Sequence, residues 1–145
     1  MMIRRYGRAA TIAAALLFTT TFSLKVTAHD NVTPQPVDTS KLADIGEEWR
    51  TVNPYRGNPD AIKIGESAYG GNCARCHGLE AISGGIAPDL RYLEVGEAGD
   101  EWFISRYRHG ASRDGKVFMP PFGDVIGQKA GWAIRSWLDT KHQES

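Results

Sequence analysis

The sequence predicts an all-α domain of three to five short helices that follows an extended N-terminal arm. Three segments place apolar side chains at helical spacing between recognisable start and stop residues. No alternating strand pattern of useful length occurs in the sequence, and the stretch ahead of the first helix is polar and contains several prolines. We therefore divide the 145 residues into a leader over 1–28, an arm over 29–57 and a helical domain over 58–145.

The leader has the organisation of a secretory signal peptide. Three arginines precede an apolar run that begins at Ala9, and Val26-Thr27-Ala28 forms a small-residue cleavage site before His29. A retained membrane anchor would need about 18 consecutive apolar residues, and threonines interrupt this run after Phe18. We expect export to the periplasm with cleavage after Ala28, and no stable membrane insertion.

Loss of the leader changes the charge balance. The whole chain has 17 basic and 17 acidic residues, but four of the basic residues and none of the acidic ones lie in the leader. The mature chain of 117 residues therefore carries 13 basic and 17 acidic side chains, a net charge of minus 4. This charge argues against nucleic acid or an anionic lipid surface as a partner.

The arm is expected to run over the surface of the domain. It holds three prolines between His29 and Gly57 and is otherwise mostly polar. A short helix from about Ser40 to Trp49 is expected to interrupt it. Trp49 and Tyr55 are the large apolar side chains of this stretch, and we expect both to pack against the domain.

The first helix of the domain is predicted from about Pro59 to Gly70. Asn58 is expected to cap it, and Pro59 suits the first helical position, where its missing N–H costs nothing. Gly65 and Tyr69 lie on the same stripe of this helix.

Two further helices are predicted downstream. One runs from Asp100 to Tyr107, with Asp100 or Gly99 at its start and Gly110 after its end. The last runs from about Gly127 to His142 and carries four large apolar residues that need burial. We expect its Ile134 and Trp137 to pack on the Gly65 stripe, since a glycine allows close approach between helices.

The run Cys73-Ala74-Arg75-Cys76-His77 places two thiols three positions apart with an imidazole directly behind them. Covalent haem attachment requires this arrangement. Each thiol can form a thioether with one vinyl group of the ring, and the adjacent imidazole reaches the iron from the same face. The pattern predicts one haem c, bound covalently through Cys73 and Cys76, with His77 as an iron ligand.

A redox dithiol is the main alternative interpretation of two cysteines at this spacing. A thioredoxin-like chain should show alternating strands and helices around the motif, and this sequence does not. A structural zinc site needs four protein ligands, and no second pair lies at a suitable spacing.

The second axial ligand of the iron is predicted to be Met119, the only methionine outside the leader. Its neighbours Phe118, Pro120, Pro121 and Phe122 supply apolar walls for a ring face. Other candidates for this position are His109, His29, His142 or no ligand at all, and the alternative role for Met119 is a core filler. With both axial positions filled, the iron has no room for a substrate, so we expect an electron-transfer protein and not an enzyme.

The segment from Gly85 to Leu90 follows the attachment motif at a distance where the chain should pass beneath His77. We expect the Pro88 carbonyl to accept a hydrogen bond from the second imidazole nitrogen, and Leu90 to contact the ring. The alternative for Pro88 is an ordinary turn. Five side chains are candidates to hold the haem propionates: Arg91, Trp102, Arg106, Arg108 and Arg113.

Together these residues resemble the class I c-type cytochromes over about residues 58 to 142. The resemblance implies an all-helical class I cytochrome c fold around one covalently bound haem, ligated by His77 and Met119. More narrowly, Trp49 and the run from Asn53 to Gly57 resemble the soluble periplasmic cytochromes c that accept electrons from quinoprotein alcohol dehydrogenases, which contain pyrroloquinoline quinone (PQQ).

The expected function is one-electron transport in the periplasm by a monomeric protein. The resemblance implies a PQQ-dependent alcohol dehydrogenase as donor, and an oxidase or another cytochrome as acceptor. Two alternatives stay open. One is a haem c subunit of another oxidoreductase complex, such as a nitrite, sulfur-compound or oxidase system, and the other is a haem-based sensor with a labile Met119.

Overall fold

The computed structural model of the chain describes residues 33 to 144, so the predicted signal peptide and His29 lie outside the described residues. Four α-helices and one two-stranded antiparallel sheet are the main elements. They are α1 (Pro59–Asn72), α2 (Ala74–His77), α3 (Glu97–His109), β1 (Ala111–Arg113), β2 (Lys116–Met119) and α4 (Gly123–Asp139). Single 3₁₀ turns lie at Leu79–Ala81 and Leu90–Tyr92. The all-α prediction is confirmed, with one short hairpin added to it. No helix in the described range has the length and apolarity that crossing a bilayer requires.

Helix α1 begins where the sequence predicts. The Asn58 side chain accepts hydrogen bonds from the backbone N–H groups of Asp60, at 2.9 Å, and of Ala61, at 3.1 Å. These two bonds satisfy donors that the first helical turn leaves without a partner. The helix continues past the predicted end at Gly70 to Asn72, immediately before the cysteine motif.

Helices α1 and α4 form the central contact of the domain, as predicted. A Cβ atom on Gly65 would lie 1.9 Å from the backbone oxygen of Ala133, so the two backbones touch at this point. One turn further along, the rings of Tyr69 and Trp137 pack with their centroids 4.5 Å apart. Ile134, also on α4, is buried in the same core. The glycine therefore sets the distance between the two helices that carry most of the core.

Replacing Gly65 with alanine is expected to lower the free energy of unfolding by about 1–3 kcal/mol or more, because backbone atoms of α4 must move to admit one methyl group. Gly70→Ala on the same helix is the matched control, since nothing lies within 4 Å of a Cβ there. The control should be neutral or stabilising by up to about 1 kcal/mol. Urea unfolding of both variants measures the difference, and equal stabilities would contradict this account of the helix contact.

The boundaries of α3 and α4 differ from the predictions. Helix α3 begins at Glu97, three residues before Asp100, because Gly96 adopts a positive φ of 89° and turns the chain into the helix. Gly110 follows its end, as expected. Helix α4 begins at Gly123, breaks its regular conformation at Gly127, and ends at Asp139 instead of His142.

The hairpin of β1 and β2 was not expected. Its two strands are joined by Asp114 and Gly115, which adopt positive φ values of 52° and 73°. Positive φ at both central residues is the conformation of the tight turn that matches strand twist, and Asp-Gly is a favoured sequence for it. Most residues of the strands are exposed, so their side chains give no alternating pattern that the sequence could reveal.

The arm is extended, and the helix expected from Ser40 to Trp49 is wrong. Side chains from α4 satisfy the backbone groups of this segment instead. The Gln128 amide donates to the carbonyl groups of Gly46, at 2.7 Å, and Glu48, at 3.0 Å, and Lys129 donates to that of Leu42 at 2.9 Å.

The two aromatic anchors of the arm pack as expected. Tyr55 is buried and donates its hydroxyl to the Ala43 carbonyl at 2.6 Å. The ring of Trp49 lies beneath the Arg108 guanidinium, 4.6 Å from the ring centroid, and near Tyr107.

An ion-pair network joins the arm to α3 and α4. Asp100 is fully buried and accepts hydrogen bonds from Arg135 at 2.9 Å and from Arg56 at 2.5 Å. Arg135 is also buried, and it lies 3.3 Å from Asp139. The backbone N–H of Asn53 donates to the same Asp100 carboxylate at 2.9 Å. A charge at Asp100 therefore holds three parts of the chain together.

Candidate functional site

One cavity of about 610 Å³ brings together all six residues predicted for the site. It lies between α2, the loop after it, α3 and the segment that follows β2. Its volume falls within the range of roughly 300–1,000 Å³ typical of pockets for small molecules and cofactors. The six residues on its walls are Cys73, Cys76, His77, Pro88, Leu90 and Met119.

The two cysteines and His77 reach the cavity from a single helical turn. Cys73 ends α1 and caps α2, and its carbonyl accepts hydrogen bonds from the backbone N–H groups of Cys76 and His77 at 3.1 and 3.0 Å. Neither cysteine forms a disulfide within residues 33 to 144. Burial, with the neighbouring Cys76, raises the pKa of the Cys73 thiol to about 12, which disfavours its thiolate form.

The His77 ring is oriented by the loop that follows it. Its Nδ1 atom lies 2.9 Å from the Pro88 carbonyl oxygen. A carbonyl can only accept, so Nδ1 carries the proton and Nε2 keeps its lone pair for a metal. The hydrogen bond predicted for Pro88 is therefore present in the structure.

Met119 is the one candidate for the second axial position that lines the cavity, among the residues described. It lies at the end of β2 and is half-buried, and Pro120 and Phe122 line the cavity beside it. His109 is exposed and lies off the cavity walls. The Nδ1 atom of His142 contacts the Leu93 carbonyl at 3.0 Å, also away from the cavity.

The remaining walls are apolar with a basic rim. Three further buried side chains extend the apolar surface around Leu90, namely Phe103, Phe122 and Ile134. Three cations line the cavity, namely Arg75, Arg106 and Arg113, and no carboxylate does so within residues 33 to 144. An electropositive rim of this kind suits the two carboxylates that a haem carries.

Of the five candidates for contact with the haem propionates, three line the cavity and two do not. Arg106, Arg113 and Trp102 line the cavity. Arg108 covers the ring of Trp49 instead, and Arg91 is bonded to Asp89, so neither takes part in the cavity wall.

Several wall residues were not singled out from the sequence. Phe103 and Tyr107 are one helical turn apart on α3, and Ile134 of α4, which was predicted only to pack against α1, also lines the cavity. The period of α3 could have placed Phe103 and Tyr107 on one apolar face, but nothing in the sequence shows which cavity that face lines.

The residues present fit a haem attached at this cavity. They supply two free thiols, an imidazole nitrogen with its lone pair available, a thioether and a mostly apolar enclosure of suitable size. Cysteine, histidine and methionine are the side chains that attach and ligate haem c.

Comparison with known proteins gives matches to cytochromes and to quinohemoproteins. The family model described as cytochrome C oxidase, cbb3-type, subunit III matches residues 60–138. The chain is 59% identical to cytochrome c550 of Pseudomonas aeruginosa over 119 residues, which cover 79% of this chain and 82% of the relative.

Two longer relatives are similar over one portion of their length. The chain is 39% identical to the quinohemoprotein alcohol dehydrogenase ADH-IIG of Pseudomonas putida over 112 residues, 73% of this chain and 15% of the relative. It is 30% identical to the quinohemoprotein alcohol dehydrogenase ADH IIB of the same organism over 95 residues, 66% of this chain and 13% of the relative.

Proposed function

Because the chain belongs to the c-type cytochrome family and is an electron-transfer protein with a covalently bound haem c, we propose that it is a periplasmic one-electron carrier. In this proposal the donor is a PQQ-dependent alcohol dehydrogenase and the acceptor is a terminal oxidase or another cytochrome. The carrier acts as a monomer after removal of the signal peptide over residues 1–28. The observation that carries the proposal is the cavity whose walls hold two thiols, His77 and Met119.

Each site residue has a distinct role in the proposal. Cys73 and Cys76 would hold the haem through thioether bonds, and His77 and Met119 would ligate its iron. When bound, the haem supplies one reversibly transferred electron. His77 is held in the ligating tautomer by the Pro88 carbonyl. Methionine sulfur is a soft, neutral donor, and a His/Met pair raises the reduction potential.

The residues that line the cavity favour electron transfer over the conversion of a substrate at the iron. With His77 and Met119 as its ligands, the iron would have no position left for a substrate. Leu90, Phe103 and Phe122 line the cavity with apolar surface, and an apolar shell limits the access of water to a metal site. Such a site would suit a carrier.

The dehydrogenase partner is supported by sequence similarity. The names of the two Pseudomonas putida relatives join a quinone, a haem and alcohol oxidation in one protein. Alcohol oxidation releases electrons. The portion of each relative that matches this chain is similar to a c-type cytochrome, a class of protein that accepts electrons. The run from Asn53 to Gly57, which resembles cytochromes with such donors, contributes Arg56 and the Asn53 backbone to the network at Asp100.

Alcohol-dependent reduction of the haem tests the donor assignment. The purified ferric protein is mixed with a PQQ-dependent alcohol dehydrogenase, and haem absorbance is followed before and after ethanol is added. We expect rapid reduction only when both the dehydrogenase and its alcohol are present. Reaction with the dehydrogenase alone is the control. Failure with every quinoprotein tested would remove the donor assignment and leave the electron carrier in place.

A second candidate is a haem c subunit of an oxidase complex. The description of the matching family model, which names subunit III of a cbb3-type oxidase, favours it over the nitrite and sulfur-compound systems. Purification of the native protein under mild conditions separates the two candidates. A carrier should elute as a monomer, whereas a subunit should elute with other polypeptides at fixed stoichiometry.

A further inference from the structure

We propose that Asp89 and Arg91 form a clamp that positions the Pro88 carbonyl against His77, and through it tunes the electron affinity of the iron. This inference rests on the proposed function, in which His77 ligates the haem iron. Pro88 lies in an irregular loop between Ile82 and Asp89, where regular helix or strand bonds are absent. Some other set of contacts must therefore hold the carbonyl 2.9 Å from the His77 ring.

The clamp is a bidentate ion pair between Asp89 and Arg91, next to Pro88 in the chain. Arg91 donates from Nε to Oδ1 of Asp89 at 3.0 Å and from Nη2 to Oδ2 at 2.8 Å. The backbone N–H of Arg91 also donates to Oδ1, at 3.1 Å. Paired parallel bonds of this kind fix the relative orientation of the two groups, which a single point charge does not. Hydrogen bonds from Arg91 lower the pKa of Asp89, so the carboxylate stays ionised at neutral pH.

The same carboxylate reaches across the loop to its other end. Oδ2 of Asp89 accepts a hydrogen bond from the Ser83 backbone N–H at 3.3 Å. The Ser83 hydroxyl donates to the Ala87 carbonyl and accepts from the Gly85 N–H at 2.9 Å. Both ends of the loop that presents Pro88 are therefore tied to Asp89.

The far side of Arg91 anchors the clamp to the C-terminal segment. Its Nη1 donates to the Gln143 side-chain oxygen at 3.1 Å, and its carbonyl accepts from the Gln143 backbone N–H at 2.9 Å. Leu90, between the two clamp residues, is buried in the core and lines the cavity. The guanidinium itself stays off the cavity wall. Arg91 is thus a positioning residue for His77, whereas the sequence suggested it as a propionate ligand.

The clamp predicts the sign of a potential shift. A strong hydrogen bond from Nδ1 makes the imidazole a better electron donor, which stabilises ferric iron and lowers the reduction potential. Loosening the clamp weakens that bond and should raise the potential. Loss of a positive charge by itself has the opposite effect, since a nearby cation favours the reduced state. Arg91→Gln therefore distinguishes the two effects. Loss of the positioning contact raises the reduction potential, whereas loss of the positive charge alone lowers it.

The experiment compares three variants of the haem-loaded protein. Arg91→Gln removes the clamp and the charge, and Arg91→Lys keeps the charge but loses the paired geometry. Arg108→Gln is the charge control, since Arg108 covers Trp49 and is outside the loop and the cavity. Midpoint potentials and exchange of the His77 Nδ1 proton in the ferrous protein, followed by NMR, are measured for all three and for the parent.

We expect the potential to rise in both Arg91 variants, with exchange of the Nδ1 proton faster by up to about tenfold, the factor that corresponds to the net contribution of one hydrogen bond. Arg108→Gln should leave the exchange rate unchanged. A lower potential in Arg91→Gln with unchanged proton exchange would overturn the clamp. If the Gln variant fails to fold, the Lys variant alone decides through the same two readouts. Absence of His77 coordination in the parent would instead remove the proposed function, and the clamp with it.

Discussion

Met119→Ala is expected to open the haem iron to external ligands and to lower its reduction potential. The parent protein should not bind carbon monoxide in the ferrous state at neutral pH, because His77 and Met119 would both ligate the iron in the proposed site. Alanine has no atom that can reach the metal, and among the described residues no other candidate ligand lines the cavity. We therefore expect rapid carbon monoxide binding in this variant.

The potential should fall in the same variant. Axial ligands set haem potentials over a span of roughly 0.8 V, and loss of the thioether should cost on the order of 0.1 V of it or more. Flash photolysis of the carbon monoxide complex and redox titration measure the two effects.

Met119→His is the matched control for that experiment. It keeps a ligand in the second axial position, so carbon monoxide should still be excluded while the potential falls, because imidazole favours ferric iron more than a thioether does. Fast carbon monoxide binding by the parent protein would show that Met119 is either not bound to the iron or easily displaced from it. It would favour the sensor interpretation over the carrier.

Asp100→Asn is expected to lower the free energy of unfolding by about 3–5 kcal/mol, the usual cost of removing one partner from a buried ion pair. Asp100 and Arg135 are both buried, and the substitution leaves the arginine charge without its main partner. Glu80→Gln is the control, because the Glu80 side chain is 58% exposed and water can replace its contact with Lys141. The control should cost about 1 kcal/mol or less.

The pH dependence of the free energy of unfolding should differ between the parent protein and Asp100→Asn. Burial opposes ionisation of Asp100, but hydrogen bonds from Arg56, Asn53 and Arg135 outweigh it and lower the pKa of Asp100. A carboxylate with a lowered pKa stabilises the fold above its unfolded value, about 3.9, and loses that contribution as pH falls through the folded value. Urea unfolding from pH 7 to pH 3 should therefore show a steeper loss in the parent than in Asp100→Asn. Parallel curves would contradict the assignment of Asp100 as the main contributor.

Adjacent and periodic features of the sequence predicted much of the fold and most of the site. The motif from Cys73 to His77 is continuous in the chain, so its side chains meet at one cavity whatever the rest of the fold does. The Gly65 contact with α4 was predictable because helical periodicity places it on the same face as Tyr69. Which side chains in fact bind the haem stays a prediction.

The failures come from interactions between residues far apart in the chain. The expected helix after Ser40 is absent because Gln128, about 80 positions away, satisfies the arm backbone. Asp100 was expected only to begin a helix, but its carboxylate forms ion pairs with Arg56 and Arg135, which lie 44 and 35 positions away in the chain. The hairpin had one local signal, Asp114-Gly115, and strands too short and exposed to add a pattern.

The contact between α1 and α4 joins the first and the last helix of the described chain. A polypeptide synthesised from its N-terminus has no partner for α1 until its last residues have left the ribosome. During this interval the thiol of Cys73 is not yet enclosed, and the burial that raises its pKa to about 12 is missing. Thiolate forms more readily in such a chain than in the finished fold. The order of assembly thus leaves the Cys73 sulfur accessible, and more readily ionised, before the domain closes over it.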